Sequence, residues 1–370
     1  MTSRVAHVPV FQEDETLSSW LLRLARNHSA TGHELCSLLW PRHQFWTRDI
    51  DRTASDVLLE EIAQTTGVPK ETLARATLRD LISATGFPDN PKGYQRGVLP
   101  VGIYHRIRRR FGQQYCPNCL SLKPAYLRKL WRFEFVVACP VHGTLLRDAC
   151  QACGAPFIPH RNHALTKIRC HQCGIALTTG DQEVPSEMAI QLQQVALSAL
   201  VGFSENQMST AHTWHRDESG WSFVETIDPK ALLDGLHRLC RLAARQSRDL
   251  RHKSRGSQVI WGLLRSPDRA AVMSEVGVWL SNWPVGFIAW AYKADLTQHY
   301  LEMQFGPWPD WVKGAIACLP YSHGPTNVSR PRKPLCLSAL RKAYASRSAY
   351  REARAALLLK KAGIQQRLRG

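Results

Sequence analysis

The sequence predicts a mainly α-helical protein in three parts: a helical N-terminal domain, a cysteine-rich centre of short β-hairpins, and a helical C-terminal domain. Three observations lead there. Apolar residues recur at helical spacing near both ends, seven of the eleven cysteines crowd between Cys116 and Cys173, and charge is distributed in blocks. The parts are bounded at residues 1–111, 112–180 and 185–370, with Pro185 and Ser186 marking the last linker.

In the first part, "LSSWLLRLARNHSA" follows Asp14-Glu15-Thr16, a helix-start signal, and places Leu17, Trp20, Leu21, Leu24 and Ala25 on one face. Further on, "SDVLLEEIAQTTGVPKETLARATLRDL" reads as helix, turn, helix. Ser55 or Asp56 caps the first helix, and Leu58, Leu59, Ile62 and Ala63 form its inner face. Gly67 makes the turn, and Pro69 opens a second helix with Leu73, Ala76 and Leu78 inside. Two short helices joined by a Gly-containing turn have helix-turn-helix geometry. The second helix offers Lys70, Thr72, Arg75 and Arg79 outward, but residues 1–91 carry 9 basic against 12 acidic side chains. That acidity favours a packing or protein-docking helix over direct base reading.

The centre is decided by spacing. Cys116-x2-Cys119 and Cys139-x2-His142 form one set of four donors; Cys150-x2-Cys153 and Cys170-x2-Cys173 form a second. A knuckle with two intervening residues turns both donors toward one point, and two knuckles close a tetrahedron around Zn²⁺ with no open position. Pro117, Pro140, Gly143, Gly154 and Gly174 suit the tight turns. The sequence therefore predicts a tandem zinc-ribbon module with two structural zinc ions per chain. His171 is a less well spaced substitute for Cys170 or Cys173. Thioredoxin-like redox chemistry would want one CxxC in a βαβ setting, and a catalytic zinc would want an open position, so both are disfavoured. Cys36, Cys240, Cys318 and Cys336 are isolated and read as small buried hydrophobes.

In the third part a helix is expected near Met188–Val201. A stronger one begins at Asp228-Pro229, with Leu232, Leu233, Leu236, Leu239 and Ala243 buried and Arg238, Arg241, Arg245 and Arg248 on the opposite, solvated face. Trp279, Trp283 and Trp290 also follow helical spacing and read as core. A last helix over about Ser338–Ala362 ends at Gly363 and carries Arg347, Arg351 and Arg354 in one stripe.

The net charge of +18 is concentrated. Residues 92–132 hold 10 basic side chains and no acid, and residues 330–370 hold 12 against Glu352 alone. Such blocks suit a polyanion, and neutralising phosphates releases counterions, so nucleic acid is the expected partner. Arg106, Arg108, Arg109 and Arg110, beside Tyr104 and Phe111, and the Arg347, Arg351, Arg354 stripe are the candidate contacts, with a solvated basic helix the alternative for the first set. No phosphate-cradling, dinucleotide, serine-hydrolase or zinc-protease motif is present, so no active site is expected. The polar start argues against a secretory signal. The most apolar stretch, Val278–Tyr292, is short and broken by Asn282 and Pro284, so a cytoplasmic protein with no membrane partner is expected.

"DETLSSWLLRLAR", "YCPNCL" and "YLRKLWRFEFVVACPVHGTLLRDACQACG" together resemble the TniQ family of transposon proteins, which includes the TnsD-type target selectors. The resemblance covers about Val8–Cys173. It implies an N-terminal helix-turn-helix domain, a zinc-ribbon module, a helical C-terminal domain and no enzymatic activity. Such proteins choose the insertion site for a separate transposase and hand it to an AAA+ ATPase in the bacterial cytoplasm, at the nucleoid when active. Some read a DNA site directly; others dimerise and ride on an RNA-guided CRISPR effector, Cascade, where guide RNA joins DNA among the partners. The alternative is a stand-alone, zinc-containing, sequence-specific transcription regulator.

Overall fold

The computed structural model describes residues 5–90, 93–101, 103–104, 107–108, 110–161, 168–178, 180, 182–200, 227–253 and 259–322. They are mainly helical and divide between two units: Met1–Trp214 with Val259–Ala271, and His215–Gln258 with Val272–Gly370.

The first unit starts on the helix Leu17–Asn27, whose Thr16 cap accepts a hydrogen bond from the Ser19 N–H. All five residues of its predicted face are buried. They pack with Leu35 and Cys36 of the helix Gly32–Leu39, which carries a reciprocal Thr31/Glu34 capping box. Leu58, Leu59 and Ile62 of the helix Asp56–Thr66 and Leu73 of the helix Lys70–Arg75 complete this core. Ser55 caps the Asp56–Thr66 helix, and Gly67 ends it in the left-handed conformation at φ 76°. The outward basic residues of this hairpin turn back on themselves. Arg79 pairs with Asp56 at 2.6 Å and donates to the Ala54 carbonyl, while Lys70 lies 3.9 Å from Glu60. Residues Ile103–Tyr104 and Ile107–Arg108 form a two-stranded antiparallel ribbon.

A strap over Leu127–Val137 ties this helical body to the cysteine-rich region, and most of it is buried despite Lys129, Arg132 and Glu134. Buried polar groups persist only where they find partners, and each of these does. The Lys129 ammonium donates to the Arg75 carbonyl, and its backbone N–H to that of Asp14. Arg132 pairs with Asp49, donates to the Leu99 carbonyl and lies 3.6 Å from Asp51. Glu134 accepts from the Tyr94 hydroxyl at 3.0 Å.

The segment Val259–Ala271 returns to this unit from far down the chain. Trp261 is fully buried against Phe135, and Arg269 donates to Gln114 at 2.6 Å. Gln114 in turn donates to the Trp131 and Val136 carbonyls of the strap. The helix Glu187–Ser198 begins at a Ser186 cap, one residue before the expected start.

In the second unit, the Asp228-capped, Pro229-started helix Pro229–Gln246 buries Leu232, Leu233, Leu236, Leu239 and Ala243 as expected. Its arginine face departs from expectation. Arg238 is buried, bonded to Asp234 and to the Phe305 carbonyl, because the helix Gln298–Phe305 covers that side. Trp279 and Trp283 are buried with Phe287, and Trp290 is half-buried against Trp279. Cys36, Cys240 and Cys318 are buried, as expected of small hydrophobes. Cys336 and the Ser338–Ala362 helix lie outside the described residues.

Candidate metal centres

Each of the three knuckles Cys139–His142, Cys150–Cys153 and Cys170–Cys173 has the same local construction. The glycine after the second donor, Gly143, Gly154 or Gly174, takes φ of 66°, 70° or 72° and returns its N–H to the carbonyl of the first cysteine. A side chain there would be strained, which is why glycine stands at all three positions. The first cysteine's own N–H then bonds Thr144, Ala155 or Ile175, two residues beyond the second donor. An antiparallel bridge closes each turn: Ala138 with Leu145, Ala149 with Pro156, and Arg169 with Ala176. The fourth knuckle differs. Leu120 stands where the others have glycine, and Cys116 instead opens the short helix Pro117–Ser121, the Leu120 N–H returning to the Cys116 carbonyl.

The folding brings all eight sequence-predicted donors into two groups: Cys116, Cys119, Cys139 and His142, and Cys150, Cys153, Cys170 and Cys173. Within each, the donor atoms lie within 4.8 Å of one another. In the first, Cys119 Sγ is 3.6 Å from Cys139 Sγ, and His142 Nδ1 is 3.5, 3.3 and 3.6 Å from Cys116, Cys119 and Cys139. In the second, Cys150–Cys173 and Cys153–Cys170 are each 3.6 Å. A tetrahedral ion with sulfur bonds of about 2.3 Å has edges of about 3.8 Å between sulfurs and about 3.5 Å between sulfur and nitrogen. The observed edges fit such an ion. Packed thiols also cannot all ionise together: contacts with Cys119 and Cys139 pull Cys116 down to about 2, and contacts with Cys116 and Cys139 push Cys119 up. A divalent cation among them removes the conflict. His171 is not among the donors.

The two groups differ in their surroundings. All three cysteines of the first are buried, whereas Cys153 and Cys173 of the second are exposed. The first is also braced from several sides. Tyr115 and Arg147 exchange backbone hydrogen bonds, drawing the Cys116 knuckle beside the 145–149 segment. The buried Gln193 amide accepts from the Val137 and Ala138 N–H groups at 2.8 Å and donates to the Ala138 carbonyl. Asp148, in the spacer between the groups, is buried and accepts from Arg265 and from the Ser266 N–H. Neither Gln193 nor Asp148 lies in a ligand motif, so spacing alone gave no signal for them.

The candidate nucleic-acid contacts are not brought together in the same way. Arg110 is exposed beside the Ile103–Arg108 ribbon, and Arg108 lies in its second strand. Arg106, Arg109, Arg347, Arg351 and Arg354 lie outside the described residues.

Residues 6–146 match the model of the TniQ family. Over this span the chain is similar to the TniQ family. The TniQ match takes in the helical body, the strap and all four donors of the first group, and it ends before Cys150. No curated protein matches the chain. The TniQ family carries a general role in transposition. Among the described residues, no helix is long and apolar enough to cross a membrane.

Proposed function

We propose that this protein is a non-enzymatic adaptor that selects the target site in DNA transposition. In this reading it links a target-recognition element, either a DNA site or an RNA-guided Cascade complex, to the AAA+ ATPase and transposase. The observation that carries the reading is the TniQ match over residues 6–146, which coincides with a helical body, its buried strap and a complete four-donor group. Zn²⁺ would fill both groups as a structural ion, because every donor position is taken by protein and none is left for a reacting water. Its chemistry there would be cross-linking: Cys116, Cys119, Cys139 and His142 would fix the strap's exit, and Cys150, Cys153, Cys170 and Cys173 the hairpins beyond it.

Residues 1–111 would serve as a helix-turn-helix docking domain, 112–180 as a zinc-ribbon module and 185–370 as a helical domain with a basic tail. Arg106, Arg108, Arg109, Arg110, Arg347, Arg351 and Arg354 would grip nucleic acid. The internal pairing of Arg79 and Lys70 supports docking over base reading by the hairpin, and so counts against a stand-alone regulator.

The test is an insertion assay in cells carrying the transposon, with and without this protein. Site-specific insertion should be lost on deletion and restored by re-expression, and the AAA+ ATPase should co-purify with the protein. Insertion that is unaffected by deletion refutes the adaptor reading. Tight binding to one defined DNA site without ATPase or guide complex supports the regulator instead.

A further inference from the structure

The second unit carries a row of cations that the candidate contacts above do not include. Residues 238–253 hold six arginines and lysines against Asp249 alone. Arg238 is buried and spent on structure, bonded to Asp234 and to the Phe305 carbonyl. Arg241 and Arg245, one and two turns further along the same helix, are half-buried and reach the Phe305 ring instead, with guanidinium carbons 5.5 and 5.3 Å from its centroid. Arg248 and Arg251 follow, exposed, and the single acid of the stretch pairs with Lys253 at 2.7 Å.

Two like charges held over one ring repel each other, and the negative ring face offsets only part of that cost. A helix end explains one cation in its last turn; it does not explain a second fixed on the same ring with two more beyond. What the ring supplies is position. Phe305 is itself buried and packed by Tyr300 and Trp308, so both planar forks are set before a ligand arrives. Arg241 and Arg245, four apart on one helix, are separated by about 6 Å along its axis, and Arg248 opens the next helix, Arg248–Lys253, just past the extended Ser247. A planar fork with fixed donors suits phosphate oxygens. Phe305, lying beneath the guanidiniums, leaves no ring face on which bases could stack.

We propose that Arg241, Arg245 and Arg248 form a phosphodiester-binding rail that holds duplex DNA through its backbone, without reading sequence. The rail needs neither the metal centres nor the transposition role.

The test uses the full-length protein and a fluorescent DNA duplex of arbitrary sequence over a salt series. Each phosphate contact contributes about 0.9 to the slope of log affinity against log salt, so R241Q/R245Q should flatten it by about 1.8 and reduce the loss of affinity between about 50 and 200 mM salt by about twelvefold. R241K/R245K, which keeps both charges, should retain most of the slope. R248Q, on an exposed side chain, should flatten it by about 0.9. An unchanged slope in a folded R241Q/R245Q overturns the proposal. If that variant does not fold, an unchanged slope in R248Q overturns it. Loss of binding to anionic lipid vesicles in these variants, with DNA binding intact, assigns the row to a membrane surface and overturns it as well. Insertion activity is not read, so failure here leaves the adaptor reading standing, and failure of that reading leaves the rail standing.

Discussion

Replacing Arg132 by methionine should be among the most damaging single changes in the first unit, and its cost should depend on pH. The guanidinium is fully buried and bonds Asp49 and the Leu99 carbonyl, with Asp51 3.6 Å away. Methionine fills much of the same volume, so the cost is electrostatic: two carboxylates and a carbonyl lose their cation. Removing one partner of a buried ion pair typically costs about 3–5 kcal/mol. For a unit of this size that lowers Tm by about 6–20 °C.

The pH dependence follows from Asp51, which burial, and then the neighbouring Asp49 charge, raise to about 6 while Arg132 lowers it. Without Arg132 its pKa rises further. A carboxyl raised in the folded state is stabilising below its unfolded pKa, near 3.8, and that contribution is lost as pH rises through the folded value. R132M should therefore be nearer to wild type at pH 5, where protonated Asp51 needs no cation, and much less stable at pH 8. Thermal melts of both proteins at the two pH values, followed by circular dichroism, measure this. A Tm difference under about 2 °C at pH 8, or the same difference at both values, refutes the reasoning.

Three further outcomes are expected. Metal analysis of reduced protein should give two zinc ions per chain, and a chelator or thiol probe should strip the second group, with its exposed Cys153 and Cys173, well before the first; simultaneous loss would contradict the difference in burial. Gln193→Ala leaves the Val137 and Ala138 N–H groups without their acceptor and should cost about 2–5 kcal/mol, read by denaturant unfolding. Gly154→Ala meets no atom within 4 Å, so its cost should be the backbone term alone, about 1–2 kcal/mol; Gly154→Asn should cost less, and a larger loss in either would reveal crowding.

Local chemistry was legible and distant chemistry was not. Thr16, Ser55 and Asp228 announce their helices because a cap is written within four residues. The eight donors announce themselves because a knuckle is too. The fourth knuckle's helical form was not read, since Leu120 in place of glycine gives no pattern of its own. The strap was harder still: Lys129, Arg132 and Glu134 make it look half-exposed, and their partners Arg75, Asp49 and Tyr94 lie from 40 to 83 residues away. The arginines of Pro229–Gln246 fell on the correct face, but the helix that covers that face is Gln298–Phe305, which no local signal connects to it. The family match ends just before Cys150, although the two knuckles beyond it repeat the construction of Cys139–His142.

The return of Val259–Ala271 to the first unit sets an order of events during synthesis. Asp148 and Gln114 lie early in the chain, but their partners Arg265 and Arg269 emerge more than a hundred residues later. At about 5–20 residues per second, the ribosome needs roughly 6–31 s to cover these intervals. Until then the seam between the two metal-binding groups lacks its anchor, and Phe135 lacks the Trp261 ring that covers it. Metal capture by Cys116, Cys119, Cys139 and His142 can come first. Closure of the unit around them waits for chain that has not yet been made.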